Sequence, residues 1–92
     1  MPPVEGELAD SLQRAFGGGA GEAATVARAA QDLADSGQYR TDTGTTLSPN
    51  FLLEELAQAP DGTPADRWNW WIGSLEVAYG GYTDFAVRRF PE

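Results

Sequence analysis

Apolar positions along the chain recur mostly at helical spacing. Val4, Leu8, Leu12, Ala15 and Phe16 follow steps of four, four, three and one, which puts them on one stripe of a helix over about residues 4–16. Glu5, Glu7 and Asp10 stand early in that stretch, where carboxylates suit the positive helix end, and Arg14 stands late. Gly17-Gly18-Gly19-Ala20-Gly21 ends the segment, because glycine loses more backbone entropy in a helix than the helix returns. A second helix fits residues 22–35, with Val26, Ala29, Ala30 and Leu33 inward and Gly37 as its stop. That stripe is mostly alanine, so a neighbour can approach closely but little area is buried.

Residues 38–47 are rich in Thr and Gly and lose the helical period; Tyr39 and Thr41 alternate as on one face of a short strand. Ser48-Pro49 reads as an N-cap followed by proline at the first helical position. Phe51, Leu52, Leu56 and Ala59 give the next helix its inner side, and Pro60-Asp61-Gly62 breaks it. Thr63-Pro64-Ala65-Asp66 is a further start signal in which Asp66 can close a capping box. Behind it Trp68, Trp71, Ile72, Leu75 and Tyr79 keep helical spacing, with Trp70 on the other side. A strand reading competes, since Trp68, Trp70 and Ile72 alternate and Gly80-Gly81 resembles a hairpin turn. The helix is favoured because start signal and stripe agree. From Tyr82 to Phe90 the spacing is lost again, and Phe85 and Val87 alternate as in a strand. The expected architecture is one domain over residues 1–92, α+β but mainly helical. Three to four short helices would surround a Trp-rich core, with a two-stranded β ribbon from residues 38–43 and 82–90.

Charge adds a second pattern. The 92 residues carry 14 Asp and Glu against 6 Arg, with no Lys, His or Cys, for a net charge of −8. Acid exceeds base in residues 1–35 and 36–66, whereas 67–92 is balanced. That last stretch also holds seven of the ten aromatics: Trp68, Trp70, Trp71, Tyr79, Tyr82, Phe85 and Phe90. Absence of Lys with abundant Ala and Gly fits a GC-rich genome, and the acid excess makes the composition similar to cytoplasmic proteins of extreme halophiles. In dilute buffer such charge repels itself and weakens the compact state. No apolar run reaches membrane-spanning length, and Met1-Pro2-Pro3-Val4-Glu5 has neither the basic region nor the apolar core of a signal peptide. A cytoplasmic location is expected.

The missing residue types exclude much chemistry. Without Cys there is no disulfide framework, thiolate nucleophile or Cys-ligated metal. Without His the commonest general base and metal ligand is gone. The glycine tract is no Walker loop, which needs Gly-Lys-Ser/Thr, and Glu22 there would repel phosphate. Asp42-Thr43-Gly44 is similar to the catalytic triplet of aspartic proteases, whose small viral members pair two such aspartates across a dimer. Arg40-Thr41 stands where that family has apolar residues, and its β-rich fold conflicts with the helix signals, so an Asx-turn is the expected role of Asp42. Glu54 and Glu55, with Asp61 nearby, lack the His partners of a di-metal site and read as a solvated face.

No catalytic, cofactor-binding or metal-binding residue is therefore expected. The leading expectation is a non-catalytic protein-interaction or regulatory module. Its contact surface would be drawn from Trp70, Tyr82, Phe85, Val87, Arg88, Arg89 and Phe90, and it would bind a protein partner or a second copy. The alternative is nucleic-acid binding through Arg67, Arg88 and Arg89 with Trp68 and Trp70, which the net charge opposes at long range. A carboxylate-based enzyme comes third. No membrane partner is expected.

Overall fold

A computed structural model describes residues 5–87, in the order α1 (Glu5–Phe16), α2 (Ala20–Ser36), α3 (Gln38–Thr43), α4 (Pro49–Leu56), α5 (Pro64–Ala78) and a 3-10 turn (Thr83–Phe85). Three helix ends show a local cause. Ser48 Oγ accepts from the Phe51 N–H and caps α4, with Pro49 in the first turn. At α5 the expected capping box is formed by Thr63 and Asp66. Gly37, at φ 76°, ends α2 through its N–H to Ala34 O and lets α3 start in a new direction at the next residue.

Helices α1 and α2 form a hairpin that meets α5 and α4. Ala23, Ala27 and Ala30 of α2 are buried with Val26 and Leu33, so the small side chains bring the backbones close. Trp68 and Trp71 fill the middle, with ring centroids 5.4 Å apart, and Leu12, Leu52, Leu56 and Ile72 close around them. Tyr39 stacks at a tilt on Trp71, also at 5.4 Å.

The fold is all-helical among the described residues, which overturns the α+β expectation: five α-helices are present and the two-stranded ribbon is not. Residues 38–43 coil because Tyr39 and Thr43 lie four apart on one face, and the Thr43 hydroxyl donates to Tyr39 O at 2.8 Å. A side chain that bonds inside its own turn satisfies the backbone without a partner strand. Residues 83–85 turn because Phe85 N and Ala86 N donate to Tyr82 O and Thr83 O. The polar backbone beyond them is met by side chains of α5, so no ladder is needed. Residues 88–90, the rest of the expected ribbon, lie outside the described residues. Residues 64–78 are helical, as favoured, and α2 begins at Ala20 rather than at Glu22.

Candidate interaction site on the last helix

Successive residues on a helix point about 100° apart, so the tetrad Trp68-Asn69-Trp70-Trp71 spreads around α5 and gives each side chain a separate task. Trp68 is fully buried, and its indole N–H donates to Phe85 O at 2.8 Å. Asn69 donates from Nδ2 to Val87 O at 2.7 Å and accepts from Val87 N–H at 2.8 Å, pairing with the chain as a neighbouring strand would. Trp71 is buried between Trp68 and Tyr39 and donates from its indole to Glu55 Oε1 at 3.3 Å. Trp70 points outward, 42% exposed.

Behind Asn69 the same helix holds the turn that follows it. Glu76 Oε1 accepts from Tyr82 N–H at 2.7 Å and Thr83 N–H at 3.1 Å. Those donors, the Tyr82 N–H first, hold the Glu76 carboxyl below the usual glutamate range. Tyr82 is completely buried, and its hydroxyl donates to Asp42 Oδ2 at 2.7 Å. Burial first, then the Asp42 carboxylate, raise the Tyr82 phenol well above its ordinary range.

Beside Trp70 lies a groove of about 480 Å³ between α3, α4 and α5. Tyr39 and Trp71 form its floor, Trp70 and the 49% exposed Tyr79 flank it, and Glu55 is its one charged lining residue among the described residues. Glu55 Oε2 accepts from Gln58 Nε2 at 3.2 Å, which with the Trp71 contact fixes the carboxylate. Its charge is felt across the groove: after burial, it is the next cause raising the Tyr39 phenol. A second groove of about 310 Å³, between α2 and residues 46–49, is largely apolar, with Leu8, Leu47 and Leu52 among its walls.

A family profile described as the WNWW domain matches residues 4–76, ending inside α5 with the tetrad in its last third. The chain belongs to the WNWW domain family. No curated protein and no solved structure matches it. In this WNWW domain the acceptors that Trp68 and Asn69 hold, Phe85 and Val87, lie beyond the matched span.

The residues expected to form a contact surface are divided by the fold. Trp70 is exposed, Phe85 is half-buried, and Tyr82 and Val87 are buried. Arg88, Arg89 and Phe90 lie outside the described residues. Arg67, considered for nucleic-acid contact, has its Nε and Nη1 donors engaged inside the WNWW domain. It bonds Gly62 O at 2.7 Å, Leu56 O at 3.1 Å and Ala59 O at 3.3 Å, and its guanidinium lies 4.4 Å from the Phe16 ring centroid. Asp42 lies within α3 and receives the Tyr82 hydroxyl rather than standing in a loop. Among the described residues no three His, Cys, Asp or Glu gather to hold a metal ion, and no helix is long and apolar enough to cross a membrane.

Sequence reasoning missed Glu55, Tyr39 and Tyr79 as neighbours of Trp70. Phe51 and Glu55 fall on one side of α4, next to the Leu52–Leu56 side, with Gln58 just past its end, and Trp71 and Leu75 of α5 continue to Tyr79 at its C-cap in an i, i+4, i+8 row. Those spacings were a usable signal for two of the walls. Tyr39 could not be placed while its segment was read as a strand.

Proposed function

We propose that this WNWW domain is a non-catalytic protein-interaction module that receives its partner on the Trp70–Tyr79 face. The observation that carries the reading is the pair of large rings left in solvent on either side of a groove whose floor is already aromatic. Tryptophan and tyrosine dominate contact hot spots, because they bury a large area at little cost in side-chain freedom. Val77, 90% exposed on the same helix, extends the apolar surface. A polyanion is a poor fit, since Glu55 would repel phosphate at the groove and the chain as a whole is net acidic.

Panning a random peptide library against the folded protein tests this. Enriched peptides should bind the parent and lose at least about tenfold in affinity for Trp70→Ala, the effect of losing one ring contact of about 1.4 kcal/mol. Failure to enrich any binder, or binding indifferent to Trp70→Ala, overturns the reading. A cytoplasmic setting rich in salt accompanies the proposal, on the strength of the acid excess. It is tested by thermal melts from dilute buffer to molar KCl, where a midpoint that does not rise with KCl removes it.

A further inference from the structure

We propose that the groove between α3, α4 and α5 is a receptor for an arginine side chain presented by a basic peptide segment of the partner. The inference rests on the interaction reading and names the chemistry of what is bound. Three features of one cavity point the same way. Its exposed rings, Trp70 and Tyr79, offer π faces that attract a cation, and indole is the strongest of these. Its single charge among the described residues is the Glu55 carboxylate, held in place by Trp71 and Gln58 and still able to accept further bonds from a guanidinium fork. Around it the chain bears a net charge of −8, which draws a basic segment in and turns an acidic one away.

Arginine suits the site better than lysine. Its flat guanidinium can lie against an indole while its fork meets a carboxylate, and it sheds water more readily than an ammonium. The fold holds one such contact internally, the Arg67 guanidinium over the Phe16 ring at 4.4 Å. The cavity, at about 480 Å³, has room for one long side chain and part of its backbone.

Titrating the full chain with an Ala-Arg-Arg-Ala peptide, and with the same peptide carrying citrulline in place of arginine, tests the inference. Citrulline keeps the shape and loses the charge. Tryptophan fluorescence reports occupancy. The arginine peptide should bind at least about tenfold more tightly than the citrulline peptide, and the difference should shrink as salt rises toward molar. Glu55→Gln keeps an oxygen for the Trp71 indole and removes the charge, so it should abolish most of the preference. Trp70→Ala, at an exposed position, should weaken the arginine peptide even if Glu55→Gln fails to fold. Equal binding of the two peptides, with both lost in Trp70→Ala, overturns the cation inference and leaves the interaction reading standing. Binding of neither peptide also overturns it, and the library experiment then decides the broader reading on its own.

Discussion

The Glu22 carboxylate accepts a 2.8 Å hydrogen bond from the Ala65 N–H, so the first turn of α2 caps the first turn of α5 across 43 residues of sequence. Glu22 is only 3% exposed. Pro64 has no N–H, and Asp66 meets the Thr63 N–H, so Ala65 is the next donor in need of a partner. One negative charge thereby sits at the positive ends of two helices.

Removing that carboxylate should loosen the whole assembly. Glu22→Ala leaves a buried N–H without an acceptor and is expected to cost about 1–3 kcal/mol. Glu22→Gln, which keeps an acceptor oxygen, should cost clearly less. Urea unfolding of the three proteins measures both, and equal losses would mean that charge rather than hydrogen bonding matters.

Crowding beside this contact separates two neighbouring glycines. Gly17 and Gly18 both have positive φ, but a Cβ on Gly17 meets nothing, whereas one on Gly18 would lie 2.8 Å from Glu22 Oε1 and 3.1 Å from Pro64 Cδ. Gly17→Ala should cost about 1–2 kcal/mol from backbone strain alone. Gly18→Ala should cost more, and thermal melts read the difference at roughly 4–8 °C per kcal/mol for a chain of this size.

Gly73 lies mid-helix in α5 with open space around it and no positive φ. Gly73→Ala should therefore stabilise the protein by about 0.5–1 kcal/mol. A lower melting midpoint would show that something covers this position.

Among the described residues Asn69 alone meets both polar backbone groups of Val87. Asn69→Asp keeps an acceptor for the N–H but sets a carboxylate against Val87 O. Amide hydrogen exchange should quicken at Val87 and its neighbours well before α1 and α2 respond. Uniform acceleration along the chain would count against a local clamp.

Stability should fall at both ends of the pH range. The folded Glu76 carboxyl sits below its ordinary 4.5, so on acidification the unfolded chain takes up the proton first and stability drops as pH falls below that value. Glu76→Gln should flatten this limb. Folded Tyr82, and to a lesser degree Tyr39, hold their protons above the ordinary 10.0, so the unfolded chain ionises first and stability drops as pH rises past that value. Tyr82→Phe should lose up to about 1 kcal/mol at neutral pH with its hydrogen bond, yet show a shallower alkaline limb. Melts across the range, with ultraviolet absorbance following phenolate formation, check both.

Much of the helical framework was legible because its signals are local. Ser48-Pro49 and Thr63-Pro64-Ala65-Asp66 act within one turn, and the Trp68–Trp71–Ile72–Leu75 stripe reports its buried side directly. Trp70 stands outside that stripe, and its outward direction follows from the same count. What escaped were interactions between distant residues. Tyr39 and Thr41 alternate over too few residues to tell a strand from a helical turn, and only Gly37 and packing on Trp71 decide it. Tyr82 and Val87 looked like surface because nothing near them in sequence shows that Asp42 and Asn69 will meet them. Glu22 looked like an ordinary first-turn acid, since its partner is far along the chain.

The grip of Trp68 and Asn69 on residues 85–87 touches main-chain atoms alone, which do not differ from one amino acid to the next. Thr83 and Asp84, whose side chains face water, are free to drift in evolution provided Tyr82 and Val87 still fill their seats. Residues 83–87 are thus an exchangeable cassette in physical terms: different lettering at 83 and 84 would lodge in the same berth.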